Sequence, residues 1–374
     1  MQFRDLKKQY QVLKPRMDAA VTQVMSDCNF ISGSQVKALE RRLADYVGVK
    51  HCISCANGTD ALELAERAYG IGPGDAVFVP DFTFFSSAET VADLGATPVF
   101  VDVDPVSFNL CPRALESALD RVRAQGKLRP RAVVAVDLFG LPADFPALER
   151  VAKENGLLLI EDGAQGFGGR IGDRRACSFG DIATTSFFPA KPLGCYGDGG
   201  AVFTNDDDIA DLIRSLCVHG KSELDKYNNL RLGMNSRLDT IQAAVLDVKL
   251  SAFEDYELKK VNAAAKMYTE RLDGKLDIPV VPEGFYSSWA QYTVQLPDRE
   301  KRDRVQAGLR ERGIPSMIYY PKCMHQQGAF EKLPYRGDCP VSERLCGRVL
   351  SLPMHPYLTE EDADQVCGAL LSLL

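Results

Sequence analysis

Between residues 51 and 162 the chain alternates short apolar runs with amphipathic segments, and this alternation limits its fold more than any other feature. The apolar runs have the length of buried strands, and the amphipathic segments are typical of surface helices. Strands that alternate with helices form a largely parallel sheet covered by helices on both faces. The strands are predicted at His51–Cys55, Ala76–Pro80, Pro98–Val103, Arg131–Leu138 and Leu157–Asp162, and the helices between them at Gly58–Tyr69, Ser86–Leu94, Pro112–Arg123 and Pro146–Glu154.

The segments on either side of this α/β region follow other patterns. Residues 1–50 are predicted to be helical, with a break at Phe30–Ser34 between Asp18–Cys28 and Val36–Tyr46. Two further strands, Asp181–Phe187 and Gly200–Thr204, have no helix between them, which predicts an antiparallel pairing at an edge of the sheet.

The composition of the chain shifts after about residue 205. Helices are predicted at Asp206–Cys217, Asp303–Arg312 and Glu360–Leu373, and a long helical run is predicted to begin with Arg237–Leu250 and to continue toward Leu272. Strands are predicted at Tyr292–Leu296 and Ser316–Tyr320. We therefore predict two domains, a large α/β domain over residues 1–250 and a smaller α+β domain over residues 251–374.

Composition excludes several classes of partner. A net charge of −7 and a pI near 5.3 leave no global basic surface for nucleic acid or an anionic membrane. No run approaches the ~18 apolar residues of a membrane span, and the first residues lack the apolar core of a signal peptide. The 11 cysteines are odd in number and scattered, as free thiols in a reducing compartment are. We expect a cytoplasmic protein without a nucleic-acid or membrane partner.

A metal site is not predicted. Cys52 and Cys55 have CxxC spacing and follow His51, but a zinc site would need a second pair or a histidine cluster, and the sequence has neither nearby. Two small apolar side chains at the end of a strand are the simpler interpretation of these thiols.

Asp162 and Lys191 are the residues that best indicate chemistry. Asp162 ends an apolar strand, where open α/β sheets place groups that contact ligands. Lys191 lies between Pro189 and Pro192, which forbid a regular helix, and it follows the aromatic pair Phe187-Phe188. A desolvated lysine loses its proton more readily. An acid at a strand tip and such a lysine are what pyridoxal phosphate (PLP) chemistry requires, although each alone is more often a helix cap or a solvated surface residue.

Two other motifs have a structural and a functional interpretation. Gly58 and Thr59 stand where a strand turns into a helix, so their backbone amides could bind a phosphate group or simply begin the helix. Phe84, in the turn after the next strand, could cover a flat cofactor ring or pack into the core.

Two rival enzyme classes fit the sequence less well. A dinucleotide-binding motif fails because the sixth position counted from Gly166 is Ile171 and the glycines follow Asp162 instead of preceding it. A Ser-His-Asp hydrolase has only 4 histidines available, and no GxSxG turn is present.

Five motifs, taken in order, resemble one family of enzymes. They are GTDAL at 58–62, PDFTF at 80–84, EDGAQ at 161–165, SFFPAKPLGCYGDGGA at 186–201 and GMNSRLDTIQAA at 233–244. With YYP at 319–321, HQQGAF at 325–330 and LPMHP at 352–356, they make the chain similar to the DegT/DnrJ/EryC1/StrS family of PLP-dependent sugar aminotransferases. The resemblance implies fold type I of the PLP-dependent transferases, similar to aspartate aminotransferase, with a seven-stranded and mostly parallel sheet in the large domain.

The resemblance also implies a role for each matching residue at the cofactor. Lys191 would be the Schiff-base lysine and the acid/base that moves a proton between cofactor and sugar carbon. Asp162 would pair with the pyridinium nitrogen, Gln165 would lie near the phenolic oxygen, and Phe84 would stack on the ring.

The remaining matches concern the phosphate, the partner subunit and the substrate. The implied phosphate ligands are Gly58, Thr59, Ser186 and, from the neighbouring subunit, Asn235, which implies a homodimer with shared active sites. The positions similar to ones that line the sugar-nucleotide pocket are Arg237, Tyr320 and His325.

The motif sequences are most similar to those of enzymes that aminate C3 of UDP-2-acetamido-2-deoxy-3-oxo-glucuronate in the biosynthesis of bacterial surface polysaccharide. The resemblance implies L-glutamate as the amino donor and Arg237 of the partner chain as an anchor for the sugar carboxylate. Gly163 departs from the family pattern, where alanine is common, and Tyr319 stands where those C3 enzymes can carry histidine. The open alternatives are an enzyme for C3 or C4 of a keto-6-deoxy sugar nucleotide, a regulatory or binding protein that retains PLP, and an α/β enzyme without PLP. Related dehydratases replace the lysine by histidine, so Lys191 argues against dehydration.

Overall fold

The computed structural model describes residues 1–222, 225, 227–333 and 337–374. Its helices are α1 (Leu6–Asp27), α2 (Ser34–Val47), α3 (Gly58–Ala68), α4 (Ser86–Asp93), α5 (Pro112–Gln125), α6 (Phe145–Asn155), α7 (Asp207–Leu216), α8 (Thr240–Ala252), α9 (Leu258–Leu272), α10 (Arg299–Glu311), α11 (Pro340–Arg348) and α12 (Glu360–Leu373). Its strands are β1 (His51–Cys55), β2 (Asp75–Pro80), β3 (Thr97–Val101), β4 (Arg129–Val136), β5 (Leu158–Asp162), β6 (Arg170–Ile171), β7 (Arg174–Arg175), β8 (Ile182–Ser186), β9 (Gly200–Thr204), β10 (Phe285–Tyr286), β11 (Tyr292–Gln295) and β12 (Val349–Leu352).

Seven strands form one sheet in the order β1-β9-β8-β5-β4-β2-β3. The neighbouring strands β3, β2, β4, β5 and β8 all run parallel to one another. Strand β9 runs antiparallel to both β8 and β1. The predicted α/β class, the seven-stranded sheet and the antiparallel pairing near one edge are therefore confirmed. The strands are buried on both faces, and each buried Val, Leu, Ile or Phe stabilises the fold by roughly 1.5–3 kcal/mol.

The direction of the strands places the functional residues. Strands β1, β2, β5 and β8 point the same way, so their carboxyl ends share one edge of the sheet. The register pairs Asp162 with Thr184, and both Ser186 and Cys55 with Gly200. The residues that follow these strands are consequently gathered at the same edge, which is where ligands bind in open α/β sheets.

The C-terminal part of the chain has a core of its own. Strands β11 and β12 pair in an antiparallel two-stranded sheet. Helices α9, α10 and α12 pack against it through buried residues that include Val261, Tyr268, Leu309 and Val366. A π-helical turn at Phe253–Glu257 joins α8 directly to α9. The division into domains at residues 250 and 251 stays a prediction.

Two predicted elements are wrong in their bounds or type. Ser316–Tyr320 is not a strand, because Met317 makes an isolated bridge to Ser351 while β12 pairs along its length with β11. The helix predicted from Arg237 begins at Thr240, because the preceding residues pair with the segment after α7: Asn235 bridges Val218, and the Ser236 amide donates to the carbonyl of Cys217.

Over the residues that the structure describes, no helix combines the length and the apolar character needed to cross a bilayer.

Candidate active site

A cavity of ≈ 860 Å³ opens at the carboxyl edge of the seven-stranded sheet. Its volume lies in the range of small-molecule sites, roughly 300–1,000 Å³. The sequence-predicted residues that line it are Gly58, Thr59, Phe84, Asp162, Gln165, Ser186, Lys191 and Tyr320. Residues from segments far apart in the chain therefore meet at one cavity.

Asp162, the last residue of β5, is 5% exposed. Its Oδ2 accepts a hydrogen bond of 2.8 Å from the Ser87 hydroxyl, and its Oδ1 accepts one of 3.2 Å from the Ala164 amide. Burial raises the pKa of Asp162, while these hydrogen bonds and the positive charge of Lys191 oppose that rise. The two donors stabilise the carboxylate, so Asp162 can face a cationic ring nitrogen.

Lys191 lies in the loop between β8 and β9, which folds into a tight turn. The Lys191 amide donates to the Phe188 carbonyl over 2.9 Å, and the Cys195 amide donates to the Phe187 carbonyl over 2.7 Å. Burial lowers the pKa of the Lys191 amine, and the Arg4 charge acts in the same direction, while Asp162 opposes both. A lysine with a lowered pKa has more of its amine in the neutral, nucleophilic form.

The N-terminal end of α3 is the predicted phosphate-binding site. Asn57 caps the helix by accepting a hydrogen bond of 2.8 Å from the Asp60 amide. A Cβ added at Gly58 would lie 2.6 Å from the Ser186 Cβ, so glycine allows the helix to begin directly against β8. The Thr59 hydroxyl lies 2.8 Å from the Ser86 hydroxyl. The first amides of a helix are free to bind an anion, and the helix dipole favours its negative charge.

Gln165 connects the floor of the cavity to Tyr320. Its Nε2 donates to the Tyr320 hydroxyl over 3.1 Å, and its Oε1 accepts from the Phe139 amide over 2.8 Å. The Phe84 ring is 54% exposed, and its centroid lies 6.4 Å from that of Tyr320. An aromatic ring this exposed at a cavity is available to stack on a ligand.

Asn235 and Arg237 do not line the cavity of their own chain. They flank Ser236, whose hydroxyl accepts a hydrogen bond of 3.0 Å from the Ala56 amide. Asn235 is exposed and Arg237 is half-buried. These positions leave the two side chains available to a neighbouring subunit.

His325, which the resemblance places at the substrate pocket, makes its contacts outside the cavity of its own chain, and its place at the substrate stays a prediction. Its Nδ1 lies 2.7 Å from Asp81 Oδ2, its amide donates to Asp81 Oδ1 over 2.9 Å, and its Nε2 lies 3.2 Å from Glu343 Oε1. Asp81 is fully buried, so its carboxylate requires these donors. The ring is occupied in joining two segments, and it does not line the cavity.

The structure adds residues to which no motif gave a role. Ser87 holds Asp162, and Gln291 and Lys322, which lie outside the motifs, line the cavity together with Tyr319 of YYP and Gln327 of HQQGAF. Ser87 follows the PDFTF motif at the start of α4, but a serine at a helix start is more often a cap. Only the three-dimensional fold brings Gln291 and Lys322 to the cavity.

The residues at this cavity fit pyridoxal phosphate. An amine with a lowered pKa, a hydrogen-bonded carboxylate, a helix start that glycine keeps open and an exposed aromatic ring share its walls. Lys191 would hold the aldehyde carbon, Asp162 the ring nitrogen, and the amides that begin α3 the phosphate group.

Comparison with known proteins identifies the same kind of enzyme. A model of the DegT/DnrJ/EryC1/StrS aminotransferase family matches residues 11–371, a range that includes every residue lining the cavity. The chain is 44% identical over 370 residues to UDP-2-acetamido-2-deoxy-3-oxo-D-glucuronate aminotransferase of Pseudomonas aeruginosa, covering 99% of each protein.

Two further matches cover nearly the whole chain. It is 42% identical over 366 residues to UDP-N-acetyl-3-dehydro-alpha-D-glucosamine 3-aminotransferase of Acidithiobacillus ferrooxidans, covering 97% of this chain and 95% of that protein. Among solved structures, it is similar to a DegT DnrJ EryC1 StrS aminotransferase from Brucella abortus, with a TM-score of 0.96, 48% identity, and coverage of 99% of this chain and 98% of that one.

Proposed function

The chain belongs to the DegT/DnrJ/EryC1/StrS aminotransferase family, and we propose that it transfers the amino group of L-glutamate to the keto carbon of a nucleotide-linked sugar. It is a PLP-dependent transaminase, as the aminotransferases of this family are. The observation that carries the proposal is the cavity that the amine of Lys191 and the carboxylate of Asp162 share.

We propose C3 of UDP-2-acetamido-2-deoxy-3-oxo-glucuronate as the carbon that receives the amino group. Two relatives above 40% identity are named for a UDP sugar with a keto group at C3. The sugar carboxylate and the diphosphate need cations. Lys322 is an exposed cation on the cavity wall, and Arg237 of a second subunit would be another.

Each residue of the chain at the cavity would have a separate role in the reaction. When bound, PLP carries the amino group between the two half-reactions and accepts electrons from the carbon that loses its proton. The Lys191 amine would take that proton at Nζ and return it. The Asp162 carboxylate would keep the ring nitrogen protonated, and the amides of α3 would bind the phosphate. Phe84 and Tyr320 would exclude water from one side of the ring.

We also propose that the active unit is a homodimer. Phe30, Ile31, Leu230 and Leu232 are 40%, 47%, 58% and 90% exposed. Ile31 bridges Asp239, so Phe30 and Ile31 lie beside the segment that carries the two leucines, Asn235 and Arg237. A second subunit that covers these apolar residues would bring Asn235 and Arg237 to the neighbouring cavity. The 11 cysteines are free thiols, which supports a cytoplasmic location.

The half-reactions separate the candidate substrates. The purified protein is loaded with L-glutamate, and the visible absorbance is followed until the amine form of the cofactor has replaced the aldehyde form. Three keto sugars are then supplied in turn: the UDP-3-oxo-glucuronate derivative, the same sugar without the carboxylate, and a 4-keto-6-deoxy sugar nucleotide. We expect the first to restore the aldehyde form fastest.

Any other outcome of this experiment would support one of the alternative functions. Preference for the sugar without the carboxylate would remove the acidic substrate but keep C3 amination. Response to the 4-keto-6-deoxy sugar alone would support the alternative acceptor. A protein that holds PLP but does not respond to glutamate or to any sugar would be a regulatory or binding protein.

A further inference from the structure

The first residues of the chain lie against the loop that carries Lys191. Arg4 Nη2 donates one hydrogen bond of 2.7 Å to the Lys191 carbonyl and a second of 3.2 Å to the Pro192 carbonyl. The two partners are separated from Arg4 by 187 and 188 positions in the chain. We call residues 3–5 the N-terminal strap.

These carbonyls need a donor from outside their loop. The loop between β8 and β9 makes no ladder at this point, and Pro189 and Pro192 have no amide hydrogen to offer. Pro192 is buried, and a buried carbonyl without a partner is costly. Because a single guanidinium nitrogen binds two successive carbonyls, it fixes the peptide plane between Lys191 and Pro192, and with it the direction in which the lysine side chain leaves the backbone.

The strap is itself held at both ends. The Phe3 carbonyl accepts a hydrogen bond of 2.9 Å from the Met354 amide, and the Phe3 ring packs edge-on against Tyr319 at 6.2 Å. On the other side, the Asp5 side chain caps α1 by accepting 2.8 Å from the Lys8 amide. Arg4 therefore reaches the loop from a fixed point.

Charged groups from several elements surround the guanidinium. Glu257, in the turn between α8 and α9, attracts it, while burial lowers the pKa of Arg4 to about 10, so it stays a cation at neutral pH. Lys249 on α8 and His355 after β12 also interact with Arg4, and each has a lowered pKa, chiefly from burial. The groups that act on the Lys191 amine are Asp162 and Arg4, with opposite signs.

We propose that Arg4 is a positioning residue for Lys191, which holds the lysine backbone so that the amine points at the reacting carbon. The inference rests on the proposed function, because it assumes that Lys191 binds the cofactor. No sequence motif indicated it, since Arg4 lies before the first of the family motifs. Arg4 would act on the reaction through the backbone of Lys191 and would not itself touch the substrate.

The test compares Arg4→Met, Arg4→Lys and the control Lys7→Met, which removes an exposed cation from the same end of the chain. For each holoenzyme we would measure kcat, KM for the sugar nucleotide, Tm, and the pH midpoint of the visible absorbance of the lysine-bound cofactor. Loss of orientation in Arg4→Met should lower kcat about 10- to 100-fold with KM little changed. Its absorbance midpoint should move to higher pH, because a nearby positive charge has been removed.

Arg4→Lys separates orientation from charge. It keeps the charge, but its amine ends one bond short of the Nη2 position that donates to both carbonyls, so its midpoint should stay near the wild-type value while kcat recovers only in part. Wild-type kcat and midpoint in Arg4→Met would overturn the proposal, even if Tm fell. If Arg4→Met does not fold, a wild-type kcat in Arg4→Lys with a shifted midpoint would overturn it instead. If Lys191→Ala keeps both turnover and visible absorbance, the proposed function fails, and that result is distinct from failure of the Arg4 inference alone.

Discussion

Ser87 and Asp162 are joined by a buried hydrogen bond, in which the Ser87 hydroxyl donates to Asp162 Oδ2 over 2.8 Å. The two residues are 1% and 5% exposed and lie 75 positions apart in the chain. Burial alone would favour the neutral acid, and this hydrogen bond favours the carboxylate. The charge of the proposed ring-nitrogen partner therefore depends on a residue from α4.

Ser87→Ala should raise the pKa of Asp162 further, because a donor to its charged form is lost. The acid limb of the kcat/KM profile should then move to higher pH, and activity near neutral pH should fall about 10-fold, since a hydrogen bond to a charged group is worth about 1.5–3 kcal/mol. Thr83→Val is the control, because the Thr83 hydroxyl lies 3.2 Å from that of Ser87 but makes no bond to Asp162. Profiles that coincide for Ser87→Ala and wild type would contradict the prediction.

Gly58→Ala should weaken cofactor binding. The added Cβ would meet the Ser186 Cβ at 2.6 Å, and inserting a methyl group into a packed contact costs about 1–3 kcal/mol. We expect the PLP content after dialysis to fall and the Kd for PLP to rise. Gly72→Ala is the matched control, because its nearest heavy atom would be 3.8 Å away. Equal PLP affinity in the two variants would show that α3 does not hold the phosphate.

Mixing two inactive variants should restore activity if each site uses both subunits. In a hybrid of Lys191→Ala and Arg237→Ala, one site combines an intact Lys191 with an intact Arg237 of the other chain. Random exchange should therefore recover about a quarter of wild-type activity. Lys191→Ala mixed with Asp162→Ala is the control, because both residues line the cavity of one chain and no hybrid site would be intact. Hybrids that form but stay inactive with Arg237→Ala would place Arg237 outside the shared site.

Local pattern was enough to predict most of the large sheet and several of the residues that meet at one cavity. The bounds of β1, β9 and α12 agree with the prediction residue for residue. Asp162 was predicted because it ends an apolar strand, and Gly58 because it stands where a strand turns into a helix. Lys191 was predicted because prolines flank it and two aromatic residues precede it, and all three residues line the cavity.

Long-range contacts account for what pattern could not show. Tyr320 lies in a segment with the composition of a strand, but its hydroxyl is held by Gln165, 155 positions away, and the segment runs along the cavity instead of the sheet. His325 has the residue type of a substrate ligand, and only packing shows that Asp81 occupies its ring. Helix α11 and strand β12 were missed because neither has a periodic pattern long enough to predict.

His325→Ala should destabilise the protein and leave substrate affinity unchanged. Removing the ring leaves the fully buried Asp81 carboxylate without its 2.7 Å partner, and an unsatisfied buried group costs about 1–3 kcal/mol. The measurements are the free energy of unfolding in denaturant and KM for the sugar nucleotide. A large rise in KM without loss of stability would return His325 to the substrate pocket.

Glu66 makes the stability of the protein depend on pH in a direction opposite to that of most carboxylates. It is fully buried in α3, its Oε1 accepts 3.1 Å from the Thr90 hydroxyl, and within the described residues its Oε2 has no hydrogen-bond partner. Burial raises the pKa of Glu66 from 4.5 to about 8. Between pH 4.5 and about pH 8, Glu66 in the folded state therefore keeps a proton that it has already released in the unfolded state. Its contribution to stability is fully present below pH 4.5 and is lost as pH rises through 8.

Glu66→Gln should therefore be more stable than wild type at pH 9 and similar to it at pH 5, because the amide stays neutral and can still accept from Thr90. Each kcal/mol gained should raise Tm by about 2–4 °C. Glu161, whose pKa burial raises to about 7, titrates in both proteins, so its contribution cancels in the comparison. Glu311→Gln, at an exposed position at the end of α10, is the control and should show no such pH dependence. A Glu66→Gln curve parallel to wild type from pH 5 to pH 9 would mean that Glu66 is ionised in the folded protein, and that the last turn of α3 tolerates a buried charge that interacts with Asp162.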